Sequence, residues 1–134
     1  YQKWHDQVKR YLGGTDPEHG AIWQLYYPNV MLEWYPNTIV ISTLIPTSPK
    51  RTLNVVEYYY TEEVALFERE YVEAQQAAYA ETAWEDEIIG QRTDRGRQTL
   101  LADGVEDFGP IQSPMEDGIL YFQEWVRQRL RPHL

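Results

Sequence analysis

Two short Pro-Asn links, Pro28-Asn29 and Pro36-Asn37, separate runs of β-branched and aromatic residues, and they constrain the chain more than any other feature. Proline presets a negative φ and asparagine tolerates a positive one, so each pair is turn chemistry. Strands joined by so short a link pair antiparallel, because a parallel neighbour needs a crossover of roughly a dozen residues. Four strands are predicted, over residues 21–27, 30–35, 38–45 and 52–60. The longer run Pro46-Thr-Ser-Pro-Lys50 links the third to the fourth. In the third, Ile39, Ile41 and Ile45 take one side and Val40 and Leu44 the other. Both faces are apolar, which predicts an interior strand covered on both sides. In the fourth, Leu53 and Val55 oppose Asn54 and Val56, ahead of Tyr58-Tyr-Tyr60.

Helical spacing brackets this block. Before it, residues 1–12 place Trp4, Val8, Tyr11 and Leu12 on one side, ending at Gly13-Gly14 and a turn-rich loop to Gly20. After it, Thr61-Glu-Glu-Val opens a helix with a capping threonine and two acids at the positive end of the dipole. Val64, Phe67, Tyr71, Ala74 and Ala78 then form one apolar stripe, which thins to alanine over 74–80. Thr82 and Glu85 have the spacing of a capping box and read as a helix opening, with a bend at Thr82 and a straight continuation from the preceding helix both open. On that helix Asp86 shares a face with Ile89, Gly90 and Thr93. A turn-rich stretch over 102–110 leads to Ser113-Pro-Met-Glu116, a second capping box with Pro114 at the first helical position. Met115, Ile119, Phe122, Val126 and Leu130 make the buried stripe of the last helix, which Leu120 and Trp125 widen.

At 134 residues the chain is one domain's worth and can bury a core. We divide it into a lead helix and loop (1–20), antiparallel strands (21–60) and helices (61–134). A net charge of −9 argues against a nucleic-acid partner, because phosphate binding needs clustered Lys and Arg. No apolar run approaches a membrane span, and no signal peptide is visible. With no cysteine, disulfides, thiol catalysis and thiolate metal sites are excluded. His5, His19 and His133 lie far apart on dissimilar segments, without a histidine one helical turn away, and read as surface residues. Trp23, Tyr26, Trp34 and Tyr58 could line a pocket, but filling a core is the expected role. The chain opens on Tyr rather than Met, which fits a segment of something longer.

Three ordered blocks resemble one family. Glu85-Asp86, an aliphatic pair ending at Ile89, and Gly96 resemble the last metal-ligand motif of the Rieske non-haem iron oxygenases, the ring-hydroxylating oxygenase α subunits and their relatives. That motif runs Glu/Asp-Asp, two variable residues, an aliphatic, then Gln-x-Gly. Gln91 departs from it where an acid is common, and Asp94 where the glutamine is expected. Pro28-Asn29-Val30-Met31, Tyr35-Pro36, Pro46, Pro49 and Arg51-Thr52 are similar to the family's sheet region. Gly109-Pro110, Glu116-Asp117-Gly118 and the helix from Phe122 to Val126 are similar to its ending. The resemblance covers residues 22–130.

The resemblance implies an α+β fold: an antiparallel sheet covered by helices, including a long C-terminal helix, as part of a helix-grip (START-like) catalytic domain. It implies an enzyme in which a Rieske [2Fe–2S] cluster passes electrons to a mononuclear Fe(II) that activates O2. The iron would be held by two histidines and one carboxylate, and Asp86 is the candidate carboxylate. The histidine pair and the Cys-x-His and Cys-x-x-His cluster ligands are absent from these residues, so this is the C-terminal part of such a catalytic domain, inactive alone. The ending leans toward members that act on aromatic acids or quaternary ammonium compounds. The family further implies a cytoplasmic homotrimer served by a reductase or ferredoxin. The competing reading is a non-catalytic helix-grip (START/Bet v 1-like) binding module, with Asp86 a solvated capping acid.

Overall fold

A computed structural model describes residues 1–105 and 109–133. Its strands are β1 (Ile22–Tyr26), β2 (Val30–Tyr35), β3 (Thr38–Ser48) and β4 (Arg51–Tyr60). They form one antiparallel meander in the order β1-β2-β3-β4. The helices are α1 (Gln2–Tyr11), α2 (Glu62–Phe67), α3 (Arg69–Ala102) and α4 (Asp117–Leu130), the last followed by a short 3-10 turn. The fold class is α+β, as the resemblance implies. The long helix is α3, with 34 residues against 14 in α4. The chain divides into two compact units, Tyr1–Glu87 and Ile88–Leu134. Of the turn-rich stretch expected over 102–110, residues 106–108 lie outside the described ones.

The first unit holds the sheet. Tyr35 pairs with Thr38 across Pro36-Asn37, and Asn37 takes a φ of 57°, the left-handed value its side chain tolerates. Tyr26 pairs with Val30, so the first link has three residues, Tyr27 to Asn29, rather than two. The expected loop before β4 shrinks to Pro49-Lys50. β3 continues through Pro46 with a register irregularity between Pro46 and Ser48, and Thr47 Oγ1 donates to the Arg51 carbonyl at 3.0 Å.

One sheet face is covered. Thr38, Val40 and Ser42 are buried on it, and beside it Trp4 and Val8 of α1 pack with Val64, Tyr71 and Ala78. Ring edges join the layers, Trp4 to Tyr35 at 5.5 Å and Tyr11 to Tyr71 at 5.9 Å. The opposite face, with Ile22, Tyr26, Trp34, Leu53 and Tyr59, is exposed. β3 is interior in the sheet, with Thr38, Val40 and Ser42 buried on the covered face and Ile39 and Ile41 half-buried on the other, short of the full two-sided cover expected. The helical stripe also needs correction at Phe67, which is 77% exposed. Glu68 leaves helical geometry (φ −115°, ψ 56°), so the register resets between Val64 on α2 and Tyr71 on α3. Thr61 makes no side-chain cap.

α3 runs unbroken through Thr82. The Thr82 hydroxyl turns back to the Ala78 carbonyl at 3.1 Å, so the residue sits mid-helix and opens nothing. In the second unit α4 begins at Asp117, later than expected. The Gln112 N–H donates to the Glu116 carboxylate at 2.7 Å and the Glu116 N–H to the Gln112 carbonyl at 2.8 Å, closing a turn where a capping box was predicted. Met115 falls in that turn and is 89% exposed. α4 buries none of its residues, although Phe122, Trp125 and Val126 are half-buried.

Candidate active site

Successive side chains of a strand point to opposite faces. On the covered face, β2 therefore presents Met31, Glu33 and Tyr35, and β1 sets Trp23 directly across from Glu33. α3 lays Gln75, Tyr79, Thr82 and Asp86 along one stripe at three- and four-residue spacing. Between helix and sheet, within the first unit, lies a cavity of about 770 Å³ lined by these side chains. The alanines of α3 do not bring a neighbouring element close as expected: among the described residues no Cα of another element lies within 8 Å of theirs, and Ala78 and Ala83 line the cavity instead.

Glu33 is the charged group at the centre of this wall. It is 8% exposed, and three donors converge on its carboxylate. Tyr35 OH and Trp23 Nε1 donate to Oε2 at 2.5 and 3.1 Å, and Tyr79 OH donates to Oε1 at 3.1 Å. Tyr79 OH also lies 2.9 Å from Ser42 Oγ. Among the described residues no Lys or Arg pairs with Glu33. Burial, and then the bond to Glu33, push the Tyr35 phenol far above its usual range. Burial also raises Tyr79, opposed by the bond to Ser42 and reinforced by the charges of Glu33 and Asp86. Both phenols therefore stay protonated donors near neutrality. The Tyr58 phenol, edge-on to Tyr79 at 5.6 Å, is pushed up to about 12 by burial and then by Tyr79.

Asp86 lines the same cavity from α3, two turns beyond Tyr79, and is exposed there. A side chain added at Gly90 would meet no atom. The histidines do not join Asp86. His5 is exposed on α1 with its ring against Tyr1 and Trp4, and His19 and His133 are exposed elsewhere. Among the described residues no three His, Cys, Asp or Glu side chains are grouped to hold a metal. One carboxylate does not make an iron site, so these residues by themselves do not fit the metal that the resemblance implies.

The aromatics expected in the core divide. Trp23, 70% exposed, is on the cavity wall, and Tyr58 is half-buried on the same face. Tyr26 and Trp34 are on the exposed face, and none of the four is a core residue. Sequence reasoning missed Glu33. The available signal was an acid on the inward side of a strand, between Met31 and Tyr35, where a charge is rarely placed without a use.

Residues 1–131 match the family model described as the ring hydroxylating alpha subunit (catalytic domain). The chain is 59% identical over 128 residues to a putrescine 2-hydroxylase of Ralstonia nicotianae, covering 96% of this chain and 35% of that protein. It is 53% identical to a putrescine 2-hydroxylase of Bordetella bronchiseptica, covering 96% of this chain and 30% of that one. A chloroplastic choline monooxygenase of Atriplex hortensis is 27% identical, over 83% of this chain and 24% of its own length. The chain thus spans about a third of the length of the putrescine 2-hydroxylases it matches. No solved structure matches it.

Proposed function

The chain belongs to the ring-hydroxylating oxygenase α-subunit family, the Rieske-type oxygenases, and from that premise we propose that it is the C-terminal part of the catalytic domain of an amine hydroxylase acting on putrescine. The observation that carries the substrate is the 59% identity to a putrescine 2-hydroxylase, maintained over 96% of the chain. The cavity agrees with it: an acid-bearing, aromatic-walled space suits a small aliphatic cation better than an aromatic acid, whose carboxylate Glu33 would repel. Family membership also removes the footing of the non-catalytic carrier reading.

In this reading Asp86 supplies the carboxylate of the iron site, and the remainder of the polypeptide supplies two imidazoles and the Rieske cluster. When bound, the iron provides O2 activation with electrons relayed from the cluster. In the whole protein the electrons that such a hydroxylation needs would come from a reductase or ferredoxin, and the protons from solvent. This chain's own residues bind and orient. The sheet and α3 wall off the cavity, Asp86 marks its reacting end, and the tyrosines keep their protons. The working assembly is a homotrimer in the cytoplasm. Among the described residues no helix is long and apolar enough to cross a membrane.

The test is turnover by the full-length, iron-loaded protein with its electron donors. Putrescine, choline and benzoate are offered separately, and products are identified by mass spectrometry. Putrescine gaining one oxygen atom is the expected result. Turnover of choline or benzoate with putrescine untouched would overturn the assignment.

A further inference from the structure

Burying a carboxylate without a cation beside it is costly. Glu33 is in that position: almost fully buried on an interior strand, with no basic side chain paired to it among the described residues. Its three donors are neutral, an indole and two phenols. Each gives a hydrogen bond to the carboxylate, and none brings a positive charge to offset it. An ionised carboxylate offers about four acceptor positions. Oε2 takes two donors and Oε1 takes one, so Oε1 keeps an acceptor position. The same carboxylate lines a cavity of about 770 Å³ together with Trp23, Tyr35 and Tyr79.

We propose that Glu33 is the binding residue for a primary alkylammonium group of the substrate, with Trp23, Tyr35 and Tyr79 as its supporting wall. An –NH3⁺ brings three donors and a compact charge. Oε1 of Glu33 accepts one donor, the phenolic oxygen of Tyr35 is an adjacent acceptor, and the exposed Trp23 ring offers a face for cation–π contact. A quaternary ammonium has no N–H to give and cannot use the acceptor, so this wall selects primary amines over choline-like cations. Asp86 lines the same cavity from α3, and the charges of Glu33 and Asp86 both act on the Tyr79 hydroxyl. An amine anchored at Glu33 would therefore present its carbon chain along the wall toward Asp86. The inference rests on the amine reading above and adds the residue that recognises the amine.

The experiment measures binding by calorimetry to the full-length, iron-loaded protein, for butylammonium, butyltrimethylammonium and butan-1-ol as well as putrescine. Butylammonium is expected to bind at least about tenfold more tightly than either of the other two butyl compounds, the scale of one charged hydrogen bond. Glu33→Gln, close in shape and without the charge, is expected to weaken butylammonium and putrescine about tenfold or more. KM for putrescine should rise more than kcat falls, with iron content and melting temperature kept. Unchanged amine affinity in a folded Glu33→Gln protein would overturn the proposal. If that variant does not fold, the wild-type series decides: butyltrimethylammonium binding as well as butylammonium overturns it equally. Butylammonium binding that depends on Glu33, without hydroxylation of putrescine, would support the anchor and count against the putrescine assignment alone.

Discussion

Thr38 on β3 donates its hydroxyl to the side-chain oxygen of Gln75 on α3 at 2.7 Å, and both side chains are buried. The bond ties helix to sheet beside the cavity. Thr38→Val keeps the shape and leaves that oxygen without its donor, which costs about 1–3 kcal/mol. The double variant Thr38→Val/Gln75→Leu removes both partners and should regain part of the loss. Urea unfolding followed by tryptophan fluorescence gives the ordering, and a single variant as stable as wild type would refute it.

The turn at Pro36-Asn37 makes a separate prediction. Asn37 holds φ at 57°, where a β-branched side chain collides with its own backbone. Asn37→Gly should be close to neutral, and Asn37→Val should cost roughly 1–2 kcal/mol. Comparing the two variants in one denaturation series isolates the backbone term, since neither replacement adds a polar contact. Equal stabilities would show that the left-handed turn is not under strain.

What was legible in the sequence was local. The bounds expected for β2 are those observed, because Pro-Asn chemistry at both ends fixes them within a few residues of chain. Helix starts were less legible. The Thr82/Glu85 pattern that caps a helix also occurs within one, where the threonine hydroxyl has a carbonyl one turn back to bond. Only the path of the preceding residues decides between the two. Glu33 was least legible of all: Tyr35 is two residues away, but Tyr79 is 46 residues on, brought in by α3 running along β3. An inward acid shows in the strand's alternation, and the donors that make it a site do not. Asp86 was singled out first by its helix face beside Gly90 and then by resemblance, and the fold adds that it lines the same cavity as Glu33.

Alkaline pH should loosen the first unit through its tyrosines. Burial raises the phenols of Tyr35, Tyr58 and Tyr79, so the native state keeps these protons after the unfolded chain has released its own. Stability from Tyr58 is then whole below the ordinary value of 10.0, falls as pH rises, and is gone above the native value of about 12. Tyr58→Phe removes that ionisation and should move the alkaline unfolding midpoint upward. Phenolate absorbance recorded alongside circular dichroism tests this, and a midpoint that does not move with the substitution would count against it.

Asp86 faces the cavity while exposed, so its removal should separate metal binding from folding. Exposed substitutions usually change stability within about 0.5 kcal/mol. Losing a metal ligand should exceed the roughly 10–100-fold loss of affinity typical of the partners behind a ligand. In the full-length protein, Asp86→Ala is therefore expected to melt like wild type and keep the visible spectrum of its Rieske cluster. Its mononuclear iron should fall at least about tenfold, and putrescine hydroxylation with it. Glu85→Gln is the matched control, an exposed acid next in sequence that is not among the cavity-lining side chains. It should keep its iron. Metal analysis that finds full mononuclear iron in Asp86→Ala, or equal loss in both variants, would take the ligand role away from Asp86 and leave that carboxylate as a surface charge on α3.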